Sequence, residues 1–318
     1  MARGIILAYR IGRMDEMISA LRSIDQVRFD ILRSDLGLQT KRRLLYIFKF
    51  APSLRRDLLR NASPYPVIIL HLFKTLRLLK NAKRVKEIQL SQYDSHHLIA
   101  ITDEREHYRF LVNLFPLPEF PTVHDLYPFV DIFAMGVYDY YPIAGKVVDV
   151  GGYIGDTAAY FCKKGATQVE VYEPNPHNYQ FLQTNLELNS VAERVKPFLA
   201  AITRSDGTST LSVPRFLGGA GSLYDRSAES SQIEVNTVHC RKVLSGRIDL
   251  LKLDCKGCEV DIVSECGEEL RSNVAHIIGQ ALDSMCLEKF VNRLRELEFV
   301  IDKIDMLYNM VYARNPNS

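Results

Sequence analysis

A glycine-rich turn with acidic residues on both sides is the part of this sequence that could bind a nucleotide-like cofactor. Residues 146–157 read KVVDVGGYIGDT, and a second apolar run, VEVYEPN, follows at 169–175. Glycines let a backbone approach a ligand closely, and the helix after such a turn points bare N–H groups at it. Glu173 follows Gly151 by 22 residues, close to the ~20 at which an acid receives ribose hydroxyls. The spacing therefore predicts an adenosine-cofactor site.

The acid before the turn decides between cofactors. A dinucleotide fingerprint has the glycine pattern Gly-x-Gly-x-x-Gly, whereas here Asp149 precedes Gly151 and Gly155. A carboxylate repels a pyrophosphate but attracts the amino and sulfonium groups of S-adenosyl-L-methionine. An ordinary strand-to-helix turn and a solvated strand end could show the same residues. We predict S-adenosyl-L-methionine as the cofactor and no metal, with these cofactor-binding residues: Asp149, Gly151, Gly152, Tyr153, Gly155, Asp156, Thr157, Glu173, Pro174, Asn175, Ala201 and Asp254.

A third segment, residues 249–259, reads DLLKLDCKGCE and carries candidates for catalysis. Asp254 should stand at the end of a strand beside the methyl donor, where it could take a proton from an acceptor hydroxyl. Lys252 could lower the pKa of Asp254 or orient a substrate, and Glu259 could hold the loop by accepting backbone N–H bonds. His239, before this strand, is a second candidate base. Asp254 and Glu259 could instead be helix-cap and first-turn residues.

Together the three segments resemble the FkbM-type S-adenosylmethionine-dependent methyltransferases. The resemblance rests on DVGGYIGDT, on YEPNPHNYQFLQTN at 172–185 and on DLLKLDCKGCE, and it covers about residues 125–313. Members usually carry Lys-x-Asp-x-Glu-Gly-x-Glu in the last segment, and Lys256 stands here where the acid is common. The turn reads Gly-Gly-Tyr where Gly-Ala-Asn is usual, and residues 276–282 lack the Glu-x-His often found there. The resemblance implies methyl transfer, largely O-methylation of sugars and related metabolites.

Alternating strands and helices in the second half of the chain must position these residues. The alternation predicts an α/β fold with a doubly wound, mostly parallel sheet, and the resemblance implies the seven-stranded, Rossmann-like sheet of class I methyltransferases. The last two strands should pair antiparallel, and ligands should lie at the carboxyl ends of the central strands. The predicted strands are 147–150, 169–172, 195–202, 249–253, 275–279, 299–302 and 309–314.

Three regions follow from the patterns along the chain. Residues 1–86 form a basic, mainly helical N-terminal domain, because apolar residues recur there at spacings of three and four. Residues 87–124 hold a small strand-containing element and a Pro-rich linker, since alternation gives way to prolines. Residues 125–318 form the catalytic domain. The predicted helices are 14–22, 40–50, 53–61 and 67–81, and the linker prolines are Pro116, Pro118 and Pro121.

The charge is divided unevenly between these regions. Residues 1–86 carry 19 Lys and Arg against 6 Asp and Glu, while the rest of the chain carries 21 against 32. A basic domain could contact an anionic membrane or a nucleic acid. It could equally dock on the acidic catalytic domain or keep its own helices soluble. An RNA methyltransferase is therefore one alternative function, and a non-catalytic binding or scaffold protein with a methyltransferase fold is another.

The function we predict is O-methylation of a sugar, glycan or glycolipid-type acceptor. A loop at 218–222, GGAGS, could close over that acceptor, as transferase lids do, or could be a plain hairpin connection. Arg215, Tyr224 and Arg226 around it are candidates for acceptor binding.

Cellular location is predicted from what the sequence lacks. No apolar run approaches the ~18–20 residues of a membrane span, and charged residues interrupt the first 25. We expect a cytoplasmic protein, peripheral to a membrane at most. Cys255 and Cys258 have the spacing of metal ligands, but Cys240, Cys266 and Cys286 look isolated, so we expect reduced thiols rather than a zinc site.

Overall fold

The computed structural model describes residues 78–94, 96–114, 124, 126–214, 222 and 230–318. The chain divides into a unit that ends at His107 and a second unit that begins at Tyr108. Most of the predicted basic domain, with its proposed membrane or nucleic-acid contacts, lies outside the described residues. So do the three linker prolines and the loop residues Arg215, Tyr224 and Arg226. No helix of the described part of the chain has both the length and the apolar character needed to cross a membrane.

The first unit contains an antiparallel pair of strands, β1 (Glu87–Tyr93) and β2 (His96–Thr102). Glu87 lies opposite Thr102, and Tyr93 lies opposite His96. Ile99 and Ile101 of β2 are completely buried, as alternating inward-facing residues of a strand should be. Two strands thus lie within residues 87–124, where the sequence predicts a small strand-containing element.

Eleven further strands follow β2 among the described residues, with helices between many of them. The strands are β3 (His107–Val112), β4 (Gly145–Val150), β5 (Ala166–Tyr172), β6 (Val195–Phe198), β7 (Ala201–Thr203), β8 (Gly207–Pro214), β9 (Ser230–His239), β10 (Ile248–Leu253), β11 (Val274–Gln280), β12 (Val300–Asp305) and β13 (Met310–Arg314). The helices are Tyr127–Phe129, which continues as a π-helix over Val130–Met135, then Asp156–Lys164, Pro176–Leu188, the 3₁₀ turn Ala192–Arg194, Cys240–Val243, Glu259–Glu265, Gly267–Asn273 and Ser284–Glu296.

Seven of these strands form the main sheet, in the order β12-β13-β11-β10-β4-β5-β6. Neighbouring strands from β11 to β6 run parallel, whereas β13 is antiparallel to β11 and β12 is antiparallel to β13. The predicted doubly wound sheet and its antiparallel final pair are confirmed. Because β4 lies between β10 and β5, the carboxyl ends of these three strands meet at one edge, where such sheets bind ligands.

The predicted strand 195–202 is wrong as a single element. The chain leaves the main sheet after β6, and β7 enters a separate three-stranded sheet with the order β7-β9-β8. In that sheet Ala201 pairs with Thr237 and packs with Leu211, Val213 and Val235 in a small core of its own. The strand-like pattern of residues 195–202 does not reveal where the chain changes from one sheet to the other.

Candidate active site

The glycine turn, residues 151–155, lies directly against the end of β10. The N–H groups of Gly151 and Gly152 both donate to the Tyr172 carbonyl at the end of β5, at 2.9 Å. Gly151 has φ 87°, and a Cβ atom added to it would lie 2.0 Å from the Asp254 carbonyl oxygen. The structure therefore brings together all three segments that the sequence singled out.

A buried ion pair lies beneath this turn. Asp149 and Lys252 are register partners on β4 and β10, and the Lys252 Nζ atom is 2.7 Å from both Asp149 Oδ1 and the Gly151 carbonyl oxygen. The second Asp149 oxygen accepts from Thr157 Oγ1 at 2.5 Å. Burial alone would lower the pKa of Lys252, but Asp149 and Asp254 raise it above its usual value. The pair holds the turn, and direct contact of Asp149 with a cofactor stays a prediction.

Glu173 is buried at the end of β5 and binds the far side of the turn. Its Oε2 atom accepts from the Tyr153 N–H at 2.9 Å, and its Oε1 atom accepts from the N–H of Asn175 at 3.0 Å and from Asn178 Nδ2 at 3.1 Å. Burial raises the pKa of Glu173 to about 7, although these donors oppose the shift. A carboxylate offers about four lone-pair positions, so Glu173 retains capacity for a ligand hydroxyl.

A second buried acid, Asp156, begins the helix Asp156–Lys164. Burial raises its pKa to about 7, the nearby Lys252 lowers it and Asp149 raises it. Burial thus favours the neutral forms of both Asp156 and Glu173 by raising their pKa values. A bound cation would favour their ionised forms, because opposite charge lowers the pKa of an acid.

Asn175 adds a buried donor beside Glu173. Its Oδ1 atom caps the helix Pro176–Leu188 by accepting from the His177 N–H at 3.0 Å. Its Nδ2 atom is buried and has no hydrogen-bond partner among the described residues. Buried donors are normally satisfied, so this one points to a missing partner. Together with the close backbone approach at Gly151 and the two acids, it fits a cationic cofactor that carries hydrogen-bond acceptors, such as S-adenosylmethionine.

The loop after β10 carries the predicted catalytic residues. Asp254 donates its N–H to the Val150 carbonyl, and its Oδ1 atom is 2.5 Å from Lys256 Nζ. Burial alone would raise the pKa of Asp254, but Lys256 and Lys252 outweigh it and hold the pKa below the usual range. Asp254 is therefore ionised at neutral pH, as a proton acceptor must be.

Glu259 accepts two backbone hydrogen bonds within this loop, and its role in catalysis stays a prediction. It is completely buried, and its two oxygens accept from the N–H groups of Cys255 and Gly257 at 2.8 Å each. Burial raises its pKa. Ser222, the last residue of the predicted lid loop, donates its hydroxyl to the Lys256 carbonyl at 2.8 Å.

Two predicted site residues lie in other surroundings. His239 ends β9 in the small sheet, where its Nδ1 atom accepts from the Arg241 N–H and its Nε2 atom is 3.9 Å from Glu265. Ala201 lies in the core of the same sheet. Neither has a described contact with the glycine turn, so their site roles stay predictions.

The expectation of isolated, reduced cysteines is wrong for four of the six. Cys240 is bonded to Cys266, and Cys255 is bonded to Cys258. The first pair is 26 residues apart and meets because β9 and the helix Glu259–Glu265 end at the same place, which spacing cannot show. His239 lies beside this pair, with one ring nitrogen within 4.8 Å of both sulfurs.

Several residues that support the glycine turn and Glu173 were not predicted from the sequence. Asn185 donates to the Ile154 carbonyl in the turn at 2.8 Å, and Asn178 binds Glu173. Both belong to the segment 172–185, so that motif could have indicated that they support the site. Tyr138 lies outside every motif; burial raises its pKa, and the charges of Asp254 and Asp149 raise it further.

Comparison with known proteins finds a similarity to one family over part of the chain. Residues 149–299 match the model of the methyltransferase FkbM domain. A protein named Methyltransferase 1 from Beauveria bassiana is 23% identical over 180 residues, which cover 48% of this chain and 72% of that protein.

Two solved structures are similar to this chain over part of its length. The methyltransferase FkbM of Methylobacillus flagellatus KT is 18% identical, with a TM-score of 0.40 over 54% of this chain and 44% of that one. A protein of the NADB-Rossmann superfamily from Streptococcus agalactiae is 15% identical, with a TM-score of 0.38 over 57% of this chain and 66% of that one. This chain thus spans less than half the length of the Methylobacillus protein.

Proposed function

We propose that the methyltransferase FkbM domain at residues 149–299 binds S-adenosyl-L-methionine at the glycine turn and methylates a hydroxyl of a sugar, glycan or glycolipid-type acceptor. The main observation in favour of this cofactor is the pair of buried acids, Asp156 and Glu173, whose pKa values burial raises to about 7. A cationic ligand compensates the charge that burial disfavours. The Asn175 Nδ2 donor, which has no hydrogen-bond partner in the part of the chain that the structure describes, supplies a further contact.

The chain's own residues have distinct tasks in this proposal. Bound S-adenosylmethionine supplies an electrophilic methyl group. Glu173 receives ribose hydroxyls, and the Asp149–Lys252 pair fixes the turn under the cofactor. Asp254 accepts the proton of the acceptor hydroxyl as the new oxygen–carbon bond forms and the carbon–sulfur bond breaks. Its ionised state suits that task, because Lys256 and Lys252 hold its pKa low in spite of burial.

Calorimetric titration tests the cofactor site. We expect saturable binding of S-adenosylmethionine and S-adenosylhomocysteine and none of NAD. Glu173→Gln should weaken binding of both by about 1–3 kcal/mol, because it removes a charged acceptor of ribose hydroxyls. Glu187→Gln, at an exposed position of the helix Pro176–Leu188, is the control and should bind normally. No binding by the unmodified protein would favour a non-catalytic scaffold, and an unchanged affinity in Glu173→Gln would remove Glu173 from the site.

The affinity for S-adenosylmethionine should rise between pH 6 and pH 8. Asp156 and Glu173, with pKa values of about 7, ionise over this interval. The Asp156 carboxylate then attracts the sulfonium and the Glu173 carboxylate accepts more strongly from the ribose hydroxyls, a gain of up to about tenfold per group. S-adenosylhomocysteine has no sulfonium, so its affinity should rise less. Calorimetry at each pH measures the ratio of the affinities for S-adenosylmethionine and S-adenosylhomocysteine. A ratio that does not change with pH would contradict the proposal that Asp156 lies close to the sulfonium.

Thermal melting provides the matching stability test. Because burial raises both pKa values, these acids stabilise the cofactor-free fold fully below their usual pKa near 4, and that contribution is lost as the pH rises through about 7. The Tm without cofactor should therefore fall across this window. The increase in Tm on adding S-adenosylmethionine should grow over the same range.

A further inference from the structure

A cavity of about 330 Å³ opens beside the loop that carries Asp254. Its walls come from Lys256 after β10, from Gln280 at the end of β11, from Tyr308 and Asn309 in the turn between β12 and β13, and from Tyr127 and Asp131. It therefore lies at the carboxyl ends of β10 and β11, next to the end of β4 that carries the glycine turn. Its volume is near the lower limit of small-molecule sites, about 300–1,000 Å³, which suits a single small ring.

A chain of contacts connects the glycine turn to this cavity. The Asp254 carbonyl oxygen lies against Gly151, and the Asp254 carboxylate binds Lys256 Nζ at 2.5 Å. Lys256 Nζ lies 3.4 Å from Gln280 Oε1, and Gln280 Nε2 donates to the Tyr308 carbonyl at 3.2 Å. Asp254, the residue proposed to accept a proton, thus lies between the cofactor turn and the cavity.

The groups that line the cavity recognise hydroxyls rather than phosphates. Gln280 and Asn309 carry amides, Asp131 carries a carboxyl group, and Tyr127 and Tyr308 supply aromatic rings with hydroxyls. Lys256 is the cation among the described lining residues, and Asp254 already compensates its charge. A phosphate would find no uncompensated positive charge among those residues. A neutral ring with several hydroxyls can exchange hydrogen bonds with the amides and the carboxyl group while its apolar face packs on tyrosine.

The position of Asp131 agrees with a binding role. It is the second residue of the π-helix Val130–Met135, which ends at Gly136 with φ 63°. π-helical turns are rare and occur frequently at functional sites. Here the turn carries a carboxyl group to the wall of the cavity.

We infer that this cavity is the acceptor site and that it takes one neutral, polyhydroxylated ring, the size of a monosaccharide unit. Gln280 and Lys256 donate hydrogen bonds to its hydroxyls, Asp131 accepts one, and the hydroxyl that becomes methylated faces Asp254. The inference rests on the proposed methyl transfer. It adds the location of the acceptor and the residues that select it.

Saturation-transfer NMR on the full chain tests this site without turnover. The protein is loaded with S-adenosylhomocysteine, and the probes are the methyl glycosides of glucose, galactose, mannose, rhamnose and fucose, with uridine 5′-monophosphate as the phosphate-bearing probe. At least one glycoside should bind saturably, and the nucleotide should not. Gln280→Leu and Asp131→Asn should each weaken glycoside binding about tenfold or more, while S-adenosylhomocysteine binds with unchanged affinity. Gln183→Leu, at an exposed helix position, is the matched control.

The outcomes separate the two proposals. If the protein binds S-adenosylhomocysteine but no glycoside, or if it prefers the nucleotide, the acceptor inference is overturned and the cofactor proposal stands. Glycoside binding that survives both Gln280→Leu and Asp131→Asn also overturns the inference, since the ring must then bind elsewhere. A protein that binds neither S-adenosylhomocysteine nor a glycoside contradicts both. Thermal melts of each variant identify any loss caused by unfolding.

Discussion

Gly151→Ala should weaken cofactor binding about a hundredfold and destabilise the second unit. The added Cβ would lie 2.0 Å from the Asp254 carbonyl oxygen and 2.8 Å from its carbon, and these are backbone atoms that cannot rotate away. The φ of 87° adds the strain of a left-handed conformation. We expect a loss of about 3 kcal/mol in binding free energy, about a hundredfold in Kd, and a comparable loss in the free energy of unfolding. Calorimetry and urea denaturation measure the two effects.

Gly246→Ala separates the two causes. Gly246 also has positive φ, 69°, but a Cβ there meets nothing within 4 Å. This variant should lose only about 1 kcal/mol of stability, the conformational part, and should bind the cofactor normally. If Gly151→Ala behaved like Gly246→Ala, the close approach of the turn to β10 would be irrelevant to binding.

The local parts of the site could be predicted from the sequence because each is formed by a continuous segment of the chain. The run before Gly151, the turn itself and Glu173 at the next strand end follow one another within 30 residues of chain, and strand, turn and helix signals do not depend on distant partners. The antiparallel pair at the end of the sheet was predictable for the same reason. The main sheet follows from the alternation of such segments.

The partners across the fold could not be predicted in that way. Asp149 and Lys252 are 103 residues apart, and their contact depends on the register of β4 against β10. The bond between Cys240 and Cys266 and the departure of Ala201 into a second sheet depend on tertiary packing alone. The cavity is assembled from four separate segments of the chain. In each case the residues were visible in the sequence, but their neighbours were set by the sheet order.

Lys252→Met should cost more stability than any other single change at a side chain of the site. It would leave the Asp149 carboxylate, which has no exposed surface, with the Thr157 hydroxyl as its described partner. Removing one member of a buried ion pair costs about 3–5 kcal/mol, because the remaining charge is neither solvated nor compensated. The Gly151 carbonyl also loses its donor, so the turn should loosen and cofactor affinity should fall. Urea denaturation and calorimetry measure both.

The double variant Asp149→Asn with Lys252→Met shows whether charge is the cause. The amide that replaces the carboxylate would be neutral and could still accept from Thr157, so the double variant should recover much of the lost stability, since neutral replacements of buried pairs are often tolerated. It should not recover the affinity, because the Gly151 carbonyl still lacks its lysine. Lys289→Met, at an exposed helix position, should change neither quantity. Equal losses in the single and double variants would mean that Lys252 acts through packing, and the ion pair would then have no part in holding the turn.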